Sequence, residues 1–417
     1  MKKNILLLLA LGLFLSKNSN SQEEEKNFGI KLSGYVKNDF FFDSRQTVAA
    51  REGHFLLWPA AESFDANNKD INAKANVNFL AVQSRLKGSI SGPDAFGANT
   101  SGVIEADFFA QANDNINLLR LRHAIIKLNW ENTELLTGQY WNPLFVTGCF
   151  PGTVSFNTGT PLQSFARNPQ VRLTQSINSL KIVIAALAQR DYASRGVNGA
   201  SSEYLRNAVI PDLHLQVHYD LSDNILVGAG AAYKSIVPRT SSIFQGNIYK
   251  VNEKVSGLTA IVFSKVKIEP VTIKIQGRYG ENIADVLSIS GFAAKAIENL
   301  TTGETSYTPL KNITVWGEVH TNGDKMQFGV FGGILKNNGT KEAMSAPTNA
   351  VYGLSTNIET LFRVSPRVIF ISNNFKVACE IEYTSAAYGN DYDVNYIPAY
   401  TTSVANTRIL ISTIYSF

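Results

Sequence analysis

The chain has 417 residues, 44% hydrophobic, 11% aromatic and only 17% charged, with a formal charge of +4 at pH 7. Taking Lys2, Lys3 and Lys17 away with the first 21 residues leaves 35 of the 38 basic residues against 34 acidic ones, a net of about +1. That balance, without any basic cluster, excludes a nucleic-acid partner of the electrostatic kind.

Residues 1–21 carry Lys2 and Lys3, an apolar run from Ile5 to Leu15 and small residues at Ser19 and Ser21 before Gln22. This predicts a secretory signal peptide, with residues 22–417 as a single mature domain. No cysteine adjoins the cleavage point, so a lipoprotein anchor is not expected. Beyond the leader no apolar run approaches the roughly 18 residues of a spanning helix. The longest, Ile182 to Ala188, is the size of a strand. Helices and closed barrels are the only structures that satisfy their own backbone in lipid, so an exported chain of this kind is soluble or a barrel. A wall facing lipid outside and water inside averages to the near-neutral mean hydropathy of −0.05, which favours the barrel.

Alternation of apolar and polar residues predicts about sixteen strands, near residues 30–42, 75–87, 102–112, 118–129, 133–141, 170–177, 180–190, 211–220, 224–234, 254–266, 271–280, 311–320, 324–335, 359–371, 375–385 and 405–417. Tight-turn residues such as Asn178-Ser179, Asn322-Gly323 and Asn373-Asn374 join alternate pairs. Long polar stretches join the others, an order expected of an all-β transmembrane antiparallel barrel with short periplasmic turns and long extracellular loops. Two connections strain the pattern, a long turn over 88–100 and a short loop near Asn113-Asp114. Leu213, Leu215, Val217 and Tyr219 alternate with His214, Gln216, His218 and Asp220, which assigns the first set to lipid and the second to the lumen. Tyr140, Tyr233, Tyr279 and Tyr383 in apolar phase near the long loops, with Trp130 and Tyr219 near short turns, are candidates for interfacial girdles. Cys379 shares a face with Val377 and Ile381 while Cys149 lies in a loop, so a disulfide is not expected. The chain closes on Ile409, Ile411, Thr413, Tyr415 and Phe417 in one phase. A terminal Phe on such a strand resembles the C-terminal signature read by barrel-assembly machinery, which marks Tyr415 and Phe417 as an assembly signal.

The site chemistry points away from catalysis. No G-x-S-x-G elbow occurs, and Gly228-Ala229-Gly230 lies within a strand instead of opening a helix. His214 and His218 at i, i+4 would stand roughly 13 Å apart along a strand, too far to share a metal. Neither a metal nor a cofactor is expected. The first strand begins too near the leader to leave room for a plug domain, so an open channel is the reading. Arg85, Lys87, Arg120, Arg122, Arg172, Arg278 and Arg408 are in lumen phase, as are Glu105 and Asp107. They can set ion selectivity, or simply pair across strands to brace the wall. The stretch 142–169, rich in Gly, Phe and Pro (Phe145, Phe150, Pro151, Phe156, Pro161, Phe165), is too apolar to lie free in water and is expected to fold inward as a constriction, the alternative being a lid or subunit latch packed outside the lumen.

Leu119-Arg120-Leu121-Arg122-His123-Ala124, Leu136-Thr137-Gly138-Gln139-Tyr140-Trp141 and Arg167-Asn168-Pro169-Gln170-Val171-Arg172 together resemble the DcaP-like trimeric porins, as do Ser84 to Gly88 and Ser101 to Phe108. The resemblance spans about residues 30–175. It implies a sixteen-stranded, trimeric porin of the bacterial outer membrane that passes small hydrophilic, often anionic, solutes. By the same resemblance Arg120, Arg122, Gln139 and Arg172 line the pore. The bilayer, lipopolysaccharide, barrel-assembly machinery and small solutes are the expected partners. Two other classes remain open: a loop-plugged accessory barrel that docks secretion or adhesion proteins, and an outer-membrane hydrolase using His123 or His320.

Overall fold

The computed structural model describes residues 28–345 and 350–417, so the predicted leader and its cleavage point lie outside the described residues. Sixteen antiparallel strands form one closed sheet. The first eight are β1 (Gly29–Asp43), β2 in two pieces (Asn76–Leu80 and Arg85–Ser91), β3 (Asn99–Asp107), β4 (Arg120–Asn129), β5 (Thr133–Trp141), β6 (Arg167–Ile177), β7 (Leu180–Leu187) and β8 (Asp212–Ser222). The rest are β9 (Ile225–Ile236), β10 (Val255–Ile268), β11 (Val271–Glu281), β12 (Glu304–Thr321), β13 (Met326–Thr340), β14 (Ile358–Ser372), β15 (Phe375–Tyr388) and β16 (Thr402–Ser416). Each strand pairs with its neighbours in sequence, and β1 pairs with β16 from Tyr35↔Ser416 to Asp43↔Arg408, which closes the wall. Closure leaves no strand edge unpaired in lipid.

Alternation decides the faces. Leu213, Leu215 and Val217 on β8 are exposed on the outside, while His214 and Gln216 between them are buried inside. The same contrast holds for exposed Ile273 and Ile275 against buried Gln276 and Arg278 on β11. Tyr219, Tyr233 and Tyr383 are exposed on the outer face, and Tyr279 shares that phase, its hydroxyl donating to Glu281 (2.7 Å). Cys149 and Cys379 are both free thiols.

Three local departures from the expected strands have visible causes. β3 ends at Asp107 instead of near residue 112, because Phe109 and Ala110 turn into the lumen, where the Arg51 guanidinium donates to both their carbonyls (3.0 and 3.2 Å). The connection near Asn113 therefore runs over residues 108–119 and belongs with the long loops. The turn over 88–100 shrinks to residues 92–98 because β2 continues to Ser91.

β4 carries a bulge: Glu105 of β3 faces His123 while Ala106 faces Leu121, so Arg122 is the extra residue. A bulge re-aims side chains, and here Arg122 and His123 both turn inward and are buried. Gly138 sits across from the distorted segment with φ +120°, and a Cβ there would collide with the Ala124 carbonyl.

At the C-terminus, Phe417 exchanges backbone hydrogen bonds with Gly34 (3.0 and 3.1 Å), and its ring lies against the Gly34 Cα. Tyr415 and Phe417 are each 52% exposed on the outside. Neither can touch the lumen. Deleting Phe417 is therefore expected to lower severalfold the amount of heat-modifiable, folded barrel in the outer membrane, while surviving channels keep wild-type conductance. Undiminished assembly of the deletion would refute the assembly role.

Candidate functional site

The barrel interior concentrates its chemistry on one wall. Asp107 on β3 accepts from Arg120 Nε (2.7 Å) and from Arg122 NH1 (2.9 Å) on β4. Glu105 accepts from Arg122 Nε (2.7 Å), and Arg85 on β2 stands 3.6 Å from it. The i, i+2 spacing of Arg120 and Arg122 places them on one face, and the neighbouring strand supplies the carboxylates in register. Next to them Arg167, at the start of β6, grips Asp191 with Nε and NH2 (2.9 and 2.7 Å). Five guanidiniums, Arg51, Arg85, Arg120, Arg122 and Arg167, thus face three carboxylates, Glu105, Asp107 and Asp191. The wall keeps a positive surplus after every pair is made.

Aromatic rings carpet these guanidiniums. Arg120 lies 4.8 Å over Phe109, Arg122 5.8 Å over Trp141, Arg167 5.2 Å over Trp141 and Arg172 5.3 Å over Tyr140. A cation on a π-face is held without being neutralised. Burial by itself would raise the pKa of Asp191, but the Arg167 and Arg120 guanidiniums outweigh it and hold the carboxyl below its ordinary value. The anion is thereby kept charged and in its pair.

Three long loops fold into the lumen and pack as a single apolar cluster. Phe55, Leu57 and Trp58 come from the loop after β1, Leu144, Phe145, Phe156, Leu162 and Phe165 from the loop after β5, and Ile283, Val286, Leu287 and Ile289 from the loop after β11. Trp141 stacks on Phe145 at 4.0 Å and Phe109 on Phe156 at 3.9 Å. The inward fold of the loop after β5 agrees with its apolar content: burial of several Phe rings in the lumen offsets the ordering of a long segment.

The opposite wall supplies the anchors. Glu380 on β15 accepts from the Val154 and Ser155 amides (2.6 and 3.1 Å), and Glu382 from Asn157 Nδ2 (2.8 Å). Glu318 on β12 accepts from the Gly152 amide. Arg363 on β14 donates to the Thr160 and Leu57 carbonyls (both 2.5 Å), clamping two loops at once. His54, in the loop after β1, presents Nε2 to Asp39 (2.6 Å); burial nonetheless pushes its pKa below the ordinary value, which favours the neutral ring. The acidic residues of this half are taken up by the loops and by its own cations Lys274, Arg363 and Arg367, so none of them cancels the surplus on the basic wall.

Of the residues expected from sequence to line a pore, Arg85, Glu105, Asp107, Arg120 and Arg122 come together in the network just described. Lys87 is cross-strand from Glu105 and half-buried. Arg172 is on the same inner wall and donates to the Trp141 carbonyl (2.7 Å). Arg278 and Arg408 point inward but hold loops: Arg278 donates to Ser164 (2.5 Å) and Ser288 (2.7 Å), and Arg408 to Asp43 (2.6 Å) and the Gly53 carbonyl (2.7 Å).

Gln139 departs from the expectation. It lies opposite Ala124 and Pro169, in the phase of Thr137 and Leu135 on the outer face, and its amide donates to the Arg122 and Leu121 carbonyls (3.0 and 3.3 Å) at the bulge. Tyr140 departs too, lying beneath Arg172 inside the barrel instead of in the outer girdle. The expectation for Gln139 rests on the family resemblance and that for Tyr140 on its apolar phase, and β5 has no clean parity to correct them: Leu135 and Thr137 share the phase of Gln139, Leu136 and Gly138 that of Tyr140. Arg51, Arg167, Asp191 and Tyr192 were not singled out from sequence. Three sit in loops, and Arg167 starts a strand in the phase of outward Val171, so period-two reading has no signal for any of them.

His123 lies 3.7 Å from Glu105 and packs on Tyr140, and His320 is 2.8 Å from Glu318 beside the short turn after β12. Among the described residues no serine hydrogen-bonds to either ring, and no group of three or more metal-ligating side chains occurs.

Residues 3–268 match the family model described as DcaP outer membrane protein. The crystal structure of the outer membrane channel DcaP of Acinetobacter baumannii superposes with a TM-score of 0.69 at 16% identity, covering 94% of this chain and 98% of that one. The anion-selective porin from Comamonas acidovorans gives 0.55 at 8% identity, covering 94% and 100%. The trimer form of OmpT of Vibrio cholerae gives 0.53 at 13% identity, also covering 94% and 100%. No curated protein matches the chain by sequence.

Proposed function

Since the chain belongs to the DcaP outer membrane protein family and forms a porin-type channel of the outer membrane, we propose that it conducts small hydrophilic solutes by passive diffusion, with a preference for anions. The surplus of guanidinium over carboxylate on the β2 to β6 wall carries this reading. Arg85, Lys87, Arg120, Arg122 and Arg172, with Arg167 and Arg51, would raise the local concentration of anions along one side of the path. The inward loops set its width from the other side. Catalysis has no part in this reading. A homotrimer is proposed with it, in keeping with the trimer form of the Vibrio OmpT structure.

Purified protein in a planar bilayer is expected to give discrete conductance steps, and a KCl gradient to give a reversal potential on the chloride side. The preference should fade as salt rises and the Debye length falls from ~10 Å at 0.1 M to ~3 Å at 1 M. Cation preference at low salt would overturn the anion assignment. Absence of any step would favour the loop-plugged barrel.

A further inference from the structure

The loop after β1 enters the lumen as a hairpin of its own, Thr47–Ala50 paired with Phe55–Pro59. Its base is held by groups that do not titrate near neutrality: Arg363 donates to the Leu57 carbonyl, Asn157 to that of Leu56 (3.2 Å) and the Tyr388 hydroxyl to that of Pro59 (2.8 Å). The tip is Arg51-Glu52-Gly53-His54, and three contacts hold it. Arg51 donates to the Phe109 and Ala110 carbonyls, Arg408 on β16 to the Gly53 and His54 carbonyls (2.7 and 3.4 Å), and His54 Nε2 meets Asp39 on β1 at 2.6 Å. Of the three donors only histidine has an ordinary charge change between pH 5 and 8.

The His54 side chain is 2% exposed, with Phe41 stacked at 6.1 Å and Phe109 and Phe156 at 5.1 and 5.8 Å. Its Nδ1 is buried and has no hydrogen-bond partner. A neutral ring tolerates this, since Nε2–H donates to Asp39 and Nδ1 carries only a lone pair. A second proton must go to Nδ1, where it finds no acceptor. The neighbouring charges do not make up for that. Asp39 already has Lys37 at 3.3 Å and the Ser412 hydroxyl, Arg408 is a further cation matched by Asp43, and Arg120 of β4 lies behind the Phe109 and Phe156 rings. Burial, with Lys37 and Arg408, therefore outweighs Asp39 and keeps the docked ring neutral.

We propose that the tip of this hairpin is an acid-released latch: a proton taken up at His54 frees the tip from Asp39, and the hairpin swings from its place in the apolar cluster and widens the path. The direction follows from linkage. The released ring sits in water and takes a proton near its ordinary value of about 6.5, while the docked ring takes one only at lower pH. Docking is thus at full strength above about pH 6.5, and each unit below it takes up to about tenfold off the ratio of docked to released tip, until the docked ring titrates as well. The widening rests on the channel reading, whereas release of the tip does not require conduction.

Two measurements on the full-length barrel test the latch, each at about pH 7.5 and about pH 5 in the same salt: single-channel conductance, and hydrogen exchange of peptides covering residues 47–59, corrected for the intrinsic effect of pH on exchange. In wild type, acid should raise conductance about twofold or more and strip protection from residues 47–59, reversibly and with the barrel still heat-modifiable. H54Q keeps a donor for Asp39 but cannot take up a proton, and H54F fills the space among Phe41, Phe109 and Phe156 without one; either should flatten both responses. H218Q, which removes another lumen histidine, should respond as wild type does. Loss of the acid response in H54Q or H54F alone carries the proposal. An acid response that persists in both variants, or wild-type residues 47–59 equally protected at the two pH values, overturns it. Protection lost in acid through His54 in a barrel that conducts at neither pH would keep the latch and overturn the channel.

Discussion

Replacing Glu380 and Glu382 with alanine is expected to raise single-channel conductance severalfold and to make the current noisy, with the barrel still folded. These carboxylates hold the loop after β5 through the Val154 and Ser155 amides and the Asn157 side chain. A hydrogen bond to a charged group contributes about 1.5–3 kcal/mol. Losing two to three of them removes on the order of 4 kcal/mol of loop anchoring, roughly a thousandfold in the open population at 1.4 kcal/mol per decade. The strand ladders β14 to β15 and β15 to β16 are backbone pairings that the substitutions do not touch. Arg363 keeps hydrogen bonds to Thr384, Thr160 and Leu57 but loses its buried ion pair with Glu382, so a fall in thermal stability should accompany the loosened loop. Protease sensitivity within residues 150–160 should appear in parallel. An unchanged conductance with a protected loop would show that the apolar cluster alone holds the constriction.

The second large effect concerns Asp107. Asp107→Asn leaves Arg120 and Arg122 short of a counter-charge in a buried setting. Breaking such a pair costs about 3–5 kcal/mol. The temperature at which the barrel loses its folded gel mobility should therefore fall. The same change leaves five guanidiniums facing two carboxylates in place of three, so anion preference should rise. R120Q/R122Q works in the other sense, leaving three guanidiniums against three carboxylates, and should move the reversal potential toward cations, most at low salt. Opposite shifts in the two variants support a selectivity role. If stability falls in both and selectivity moves in neither, the arginines only brace the wall.

The wall was legible from sequence because a strand between lipid and water must alternate, as β8 and β11 do. Legibility ended where period two was broken. The bulge turns Arg122 and His123 inward together, which strict alternation cannot place, and in β5 the adjacent Leu135 and Leu136 leave the phase of Gln139 and Tyr140 undecided. Arg167 escaped for a related reason, its parity matching lipid-facing neighbours while the strand end curls it toward Asp191. For the loop after β5, composition announced burial, because many Phe residues cannot stay in water. It could not announce the partners: Glu318, Glu380 and Glu382 look like ordinary lumen carboxylates until the loop is seen lying on them.

The anchors of that loop also carry information about time. Val154 and Glu380 are 226 residues apart in the chain, and Asn157 and Glu382 are 225 apart. Contacts of such separation are slow to form, since the intervening chain must first be ordered. The loop can dock only after β12, β14 and β15 have taken their places in the wall. Until those strands are in place the loop has no anchor, so the width of the path is settled by the C-terminal third of the chain and not by the two strands that carry the loop.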